Sequence, residues 1–169
     1  MSQNQFSTNK ETHEFIGERT FEAPIERVWD AYADPEKLVR WWGPQGWETT
    51  SKEANFSNGG TWHYCMKCVD ESQGEFFGQE SWGKMIYDDI DEPNKIVYRD
   101  FFSDADGTIN ESLPTSSTVL EFHDQNGKTH VLTRTKYATA DELQKVMDMG
   151  MEAGFGETWD RLAEFVEKA

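Results

Sequence analysis

The sequence predicts an α+β domain, a curved antiparallel sheet with helices on one side. Three observations carry that expectation. An apolar stripe at helical spacing runs through Leu143, Val146, Met147, Met151, Phe155, Trp159, Leu162, Phe165 and Val166, so residues 139–168 read as one long amphipathic helix that needs a large partner surface. Ahead of it, short alternating segments separated by Gly, Asn and Asp turns read as an antiparallel meander. Two short helical segments follow the first strand, and neither a repeat nor a linker divides the 169 residues.

Residues 1–12 begin MSQNQFSTNKE, polar and unpatterned, and read as a flexible N-terminal tail before a single domain at 13–169. Residues 14–22 alternate well enough for a first strand, which Pro24 ends because it cannot donate to the ladder. Pro24 also suits the opening of a helix over 25–33, with Ile25, Val28, Trp29 and Tyr32 on one side. Asp34-Pro35 restarts the chain as a second short helix, which the bulky Trp41-Trp42-Gly43-Pro44 breaks. That aromatic pair reads as packing between helix and sheet, or as the lining of a cavity mouth. Strands are expected over 47–56, 61–69, 75–90, 95–102, 116–123 and 128–137. Asn58-Gly59-Gly60 forms the hairpin between the first two of these, and residues 104–114 form a longer loop.

Thr139 is the expected N-cap of the last helix, with Asp141 and Glu142 in its first turn to complement the helix dipole. Gly150, Gly154 and Gly156 fall inside this helix, each at a cost of about 1 kcal/mol relative to Ala. Gly150 and Gly154 share a face, where a missing side chain admits either a neighbouring backbone or a ligand.

The formal charge is −16, from 32 acidic and 16 basic residues, so a phosphate backbone or an anionic membrane is repelled over most of the surface. Nucleic-acid and membrane partners are not expected. No apolar run approaches the length of a transmembrane helix, and the first residues lack a signal peptide's apolar core, so a cytoplasmic protein is expected. Cys65 and Cys68 spell C-x-x-C, but strand residues three apart point to opposite faces, so neither a disulfide nor a metal site is expected.

Several ordered motifs together resemble one family. WWGP at 41–44, GGTWHYCM at 59–66, WGK at 82–84, EPNKIVY at 92–98, FSDADG at 102–107 and the glycine-bearing last helix resemble the activator of Hsp90 ATPase homologue 1-like (AHSA1-like) family of the START/Bet v 1-like (SRPBCC) superfamily, in a bacterial single-domain branch. The resemblance implies a helix-grip fold, in which a bent sheet wraps the long C-terminal helix and the two short helices close one end of a cavity. It also implies hydrophobic or aromatic small-molecule ligands held between sheet and helix. The namesake co-chaperone stimulates the Hsp90 ATPase and carries a separate N-terminal domain. Only the short tail precedes strand one here, so Hsp90 is not expected as a partner.

On the strand after Gly60, alternation puts Trp62, Tyr64, Met66 and Cys68 on one face and His63, Cys65 and Lys67 on the other. The candidate ligand-binding set is therefore Trp62, Tyr64, Met66, Trp82, Gly150, Met151, Gly154 and Phe155, with the Tyr64 hydroxyl fixing orientation and an ordinary dry core as the alternative. Lys84, Asp88, Asp89, Arg99, His130 and Arg134 read as solvated charges on outer faces. Asp100 differs, because alternation aligns it with Ile96 and Tyr98. A buried Asp100 would need a partner, and facing a cavity with a raised pKa it would be the best general base.

The expected function is thus non-catalytic binding of a lipid-like or polyketide-like molecule, with no catalytic residue, metal or cofactor assigned. The alternatives are a cyclase- or hydratase-like enzyme using a pocket acid, and a co-chaperone module. An exposed sheet edge could pair two chains as a homodimer.

Overall fold

A computed structural model describes residues 3–168, so Met1 and Ser2 of the expected tail and Ala169 of the expected domain lie outside it. The described elements are β1 (Gln5–Asn9), β2 (Glu14–Phe21), α1 (Ile25–Ala33), α2 (Pro35–Trp41), β3 (Trp47–Ala54), β4 (Thr61–Cys68), β5 (Glu80–Asp91), β6 (Lys95–Ser103), β7 (Ser116–Gln125), β8 (Lys128–Lys136), α3 (Ala140–Asp148) and α4 (Met151–Glu167). The strands form one antiparallel sheet in the order β1-β2-β8-β7-β6-β5-β4-β3. The curved sheet grips α4, with α1 and α2 alongside, as the helix-grip fold requires. No helix among the described residues is long and apolar enough to cross a membrane.

Local chemistry explains the element ends. Asp34 caps α2 by accepting from the Glu36 amide at 3.0 Å, and Pro35 opens the helix, where its missing N–H costs nothing. Thr139 caps α3 by accepting from the Glu142 amide at 3.1 Å. One face of β4 buries Trp62, Tyr64 and Cys68, and its other face carries His63 and Cys65, so the two thiols sit on opposite sides as alternation requires.

Besides the strand expected over 75–90, which starts only at Glu80 because Glu71–Phe76 forms a 3-10 turn and Gly78 turns the chain at a φ of 86°, two expectations need correction. The segment Gln5–Asn9, read as tail, is an edge strand paired with β2. Its pattern is nearly all exposed, and Phe6 alone carries it inward, packing on Phe15, Phe155 and Trp159 with ring centroids 5.4, 5.7 and 6.2 Å away. One aromatic in five residues is too weak a pattern to read as a strand. The second correction is the last helix, which is two helices. The chain leaves α3 through Met149 and Gly150, whose φ of 89° is left-handed, and Gly150 then serves as the N-cap of α4. The apolar stripe survives because Leu143 and Val146 of α3 cover Phe15 and Tyr137 while α4 covers the main core.

Gly150 and Gly154 should therefore answer oppositely to alanine. A Cβ at either would meet nothing within 4 Å, so only backbone preference acts. Gly150→Ala forces an alanine into positive φ and is expected to destabilise by about 1 kcal/mol, whereas Gly154→Ala, inside α4, is expected to stabilise by up to about 1 kcal/mol. Urea unfolding midpoints check both, and equal shifts of the same sign would contradict the helix break.

Candidate functional site

Between the sheet and the start of α4 lies a cavity of about 290 Å³. Its floor is the inner face of β6, β7 and β8, carrying Tyr98, Asp100, Ser116, Thr118, Thr133 and Thr135; its roof is Met151, Gly154, Phe155 and Thr158 of α4. Trp41, Trp42, Gly43 and Pro44 close one side, so the aromatic pair both packs and lines. Arg161 of α4 holds that loop by donating to the carbonyls of Trp42, Gly43, Pro44 and Trp47 at 3.4, 2.8, 3.3 and 3.2 Å. Space exists at the roof because Gly154 has no side chain: a Cβ built there points into open volume.

The floor is polar yet largely self-satisfied. The Thr118 and Thr135 hydroxyls bond each other at 2.9 Å across β7 and β8, and the Tyr137 hydroxyl lies 3.5 Å from the Met151 sulfur. Asp100 is the exception in kind. Among the described residues that line the cavity it is the one charged side chain, with no Lys, Arg or His beside it.

The Tyr64 hydroxyl donates to Asp100 at 3.1 Å to Oδ1 and 3.3 Å to Oδ2. The approach spans two strands. Tyr64 of β4 lies opposite Gly83 of β5, and any Cβ at position 83 would collide with the Tyr64 ring, so glycine is what lets the phenol lie across β5 and reach β6. Burial raises the Asp100 carboxyl from an ordinary 3.8 to about 7, against the opposing pull of the Tyr64 and Phe101 N–H hydrogen bonds. Burial likewise pushes Tyr64 and Tyr98 well above the ordinary phenol value, with the nearby Asp100 charge adding to it, and raises Tyr87 and Tyr137 for the same two reasons.

The residues expected at the site divide. Tyr64, Met66, Met151, Gly154 and Phe155 come together around the cavity. Trp62 does not line it; it stacks on Tyr64 at 4.2 Å, donates to Ser51 at 2.8 Å and faces a much smaller void toward α2. Trp82 borders the cavity, but it pairs with Cys65 across the ladder and its ring packs on His63 at 5.1 Å, so the indole belongs to the other face. Gly150 stands outside the lining, and its role is the helix break. Asp88 and Asp89 pair with Arg99 and Lys95 at 2.9 and 3.6 Å, on the exposed side as expected. The sequence signal that marks Asp100 is its alternation with Ile96 and Tyr98; nothing local marks Tyr64 as its partner.

The raised carboxyl makes folding pH-dependent. With 3.8 as the ordinary value and about 7 in the folded chain, the unfolded chain ionises first, the folded state holds the extra proton between those values, and stability falls as pH rises through that window. Asp100→Asn removes this titration. Its stability relative to the wild type is expected to improve by on the order of 1–3 kcal/mol between about pH 4 and about pH 8. Urea unfolding at a series of pH values checks it, and a difference that stays constant with pH would show that Asp100 titrates normally.

Comparisons with known proteins agree with this architecture. No curated protein matches the chain. A crystal structure of a protein from Mycobacterium smegmatis superposes with a TM-score of 0.86 at 28% identity, covering 98% of this chain and 97% of that one. A solution structure of an Arthrobacter aurescens protein gives a TM-score of 0.88 at 25% identity, covering 98% and 92%. One from Staphylococcus epidermidis gives 0.80 at 29%, covering 96% and 94%. The family model described as "Activator of Hsp90 ATPase homolog 1-like protein" matches residues 22–167, and the chain belongs to that family.

Proposed function

We propose that this protein binds a small, mostly apolar molecule in the cavity between the sheet and α4. The observation that carries the reading is the open volume at Gly154, bounded by Met151 and Phe155 above and below by the single carboxylate of Asp100 beside the mutually bonded Thr118 and Thr135 hydroxyls. A packed core would fill such a space, since each missing methylene in a core costs about 1 kcal/mol. A few fixed polar groups in an apolar pocket are what orient a bound molecule. The site lies inside the domain, so docking on Hsp90, which would use an outer face, is no part of this reading.

A second reading rests on Asp100 itself. A cavity carboxyl raised to about 7 is suited to proton transfer near neutral pH, as a cyclase- or hydratase-like catalyst would need. On that reading the bound molecule is converted, and new ligand signals appear over time by NMR with the wild type and not with Asp100→Asn. A ligand that stays unchanged on both proteins supports binding alone.

The binding reading is tested by filling the roof. The neutral solvatochromic dye prodan is expected to bind the wild type saturably with a blue-shifted emission. Gly154→Leu is expected to keep the wild-type circular dichroism and lose at least about tenfold in dye affinity, because the leucine occupies the ligand's volume. A folded Gly154→Leu protein that binds the dye as tightly as wild type would place binding elsewhere.

A further inference from the structure

We propose that the cavity selects amphipathic amines, an apolar or aromatic body bearing a protonated nitrogen seated on Asp100, and that it rejects fatty acids and other carboxylates. This rests on the cavity being a binding site and specifies the chemistry of what enters it.

Three features of the lining point the same way. First, Asp100 has unused acceptor capacity. A carboxylate offers about four acceptor positions, and its partners are the Tyr64 hydroxyl and the Phe101 backbone amide. The neighbouring hydroxyls do not compete for a ligand in the same way: Thr118 and Thr135 bond each other, and the Tyr137 hydroxyl lies 3.5 Å from the Met151 sulfur. Second, no Lys, Arg or His occurs among the described lining residues, so a ligand carboxylate would meet Asp100 with nothing to neutralise either charge. An ammonium group supplies what the protein leaves out, a positive charge and donors for the free oxygen positions. Third, aromatic rings of Trp42, Tyr64, Tyr98, Phe102 and Tyr137 border the same space. A ring that presents its face to this space favours a cation there and tolerates an anion poorly. The net charge of −16 acts in the same sense at longer range, concentrating cations near the protein.

The test uses three probes with one hydrocarbon frame: phenylbutylamine, phenylbutanol and phenylbutyrate. Each is titrated by calorimetry into the wild type and Asp100→Asn at about pH 8, where the amine is charged and most Asp100 is ionised. The expected order on the wild type is amine tighter than alcohol by at least about tenfold, with the carboxylate weaker than the alcohol. In Asp100→Asn the advantage of the amine over the alcohol is expected to disappear. An alcohol that matches the amine on the wild type overturns the amine inference and leaves the cavity reading intact. So does an amine advantage that survives in Asp100→Asn, which would trace to the acidic surface. Failure of all three probes to bind folded wild type removes the cavity reading and this inference with it.

Discussion

Trp159 joins three parts of the molecule that the chain makes separately. It is 1% exposed, its indole N–H donates to the Tyr32 hydroxyl of α1 at 3.1 Å, and its ring meets Phe21 of β2 edge-on at 5.7 Å and Phe6 of β1 at 6.2 Å. That one side chain fixes where α4 lies on the sheet and divides the helix into two regimes. On its C-terminal side, Leu162, Ala163 and Val166 are buried against the main core, and on its N-terminal side Gly154 leaves the interior open. A helix anchored at its middle can carry a cavity at one end, since stability comes mainly from the packed half.

The open half holds a group that a purely structural core would avoid. A carboxylate taken out of water is costly, and replacing it with an apolar or neutral side chain is the usual route to greater stability. The arrangement around Asp100 is also non-local: Gly83 clears the path, Tyr64 crosses it, and Asp100 receives the hydroxyl on the far strand. Three strands thus cooperate to hold one oxygen pair at the cavity floor. The helix break serves the same end, because Gly150 lets α3 cover Phe15 and Tyr137 while α4 begins afresh over the cavity.

Much of this was legible from residue patterns. Most strand positions and α1 follow from alternation and from Pro and Gly positions, except the start of β5, and Thr139 and Asp34 cap the helices that their chemistry predicts. β1 was not legible, because an edge strand with one inward aromatic has almost no alternation to read. The break at Gly150 was hidden because an apolar stripe keeps its spacing when a helix restarts within one turn. Trp62 and Trp82 show a further limit. Alternation assigns a face, but whether a ring on the inner face borders space or another ring depends on neighbours two strands away, as the stack of Trp62 on Tyr64 shows. For Trp82 the register against Cys65 turns the ring outward. Asp100 was readable as a misfit in its strand, yet its partner Tyr64 lies 36 positions earlier and reaches it through a glycine gap.

The central claim is that the space under Gly154 is where a small molecule sits. It is tested most directly by a two-dimensional amide NMR titration of the assigned protein with phenylbutanol. The account predicts saturable shifts concentrated in residues 98–102 and 114–118 and in the first two turns of α4, with the exposed strand end around Asp88 and Asp89 unaffected. Shifts that fail to saturate, or that cluster on exposed residues such as Phe76 and Phe77 while residues 151–158 stay fixed, would contradict it.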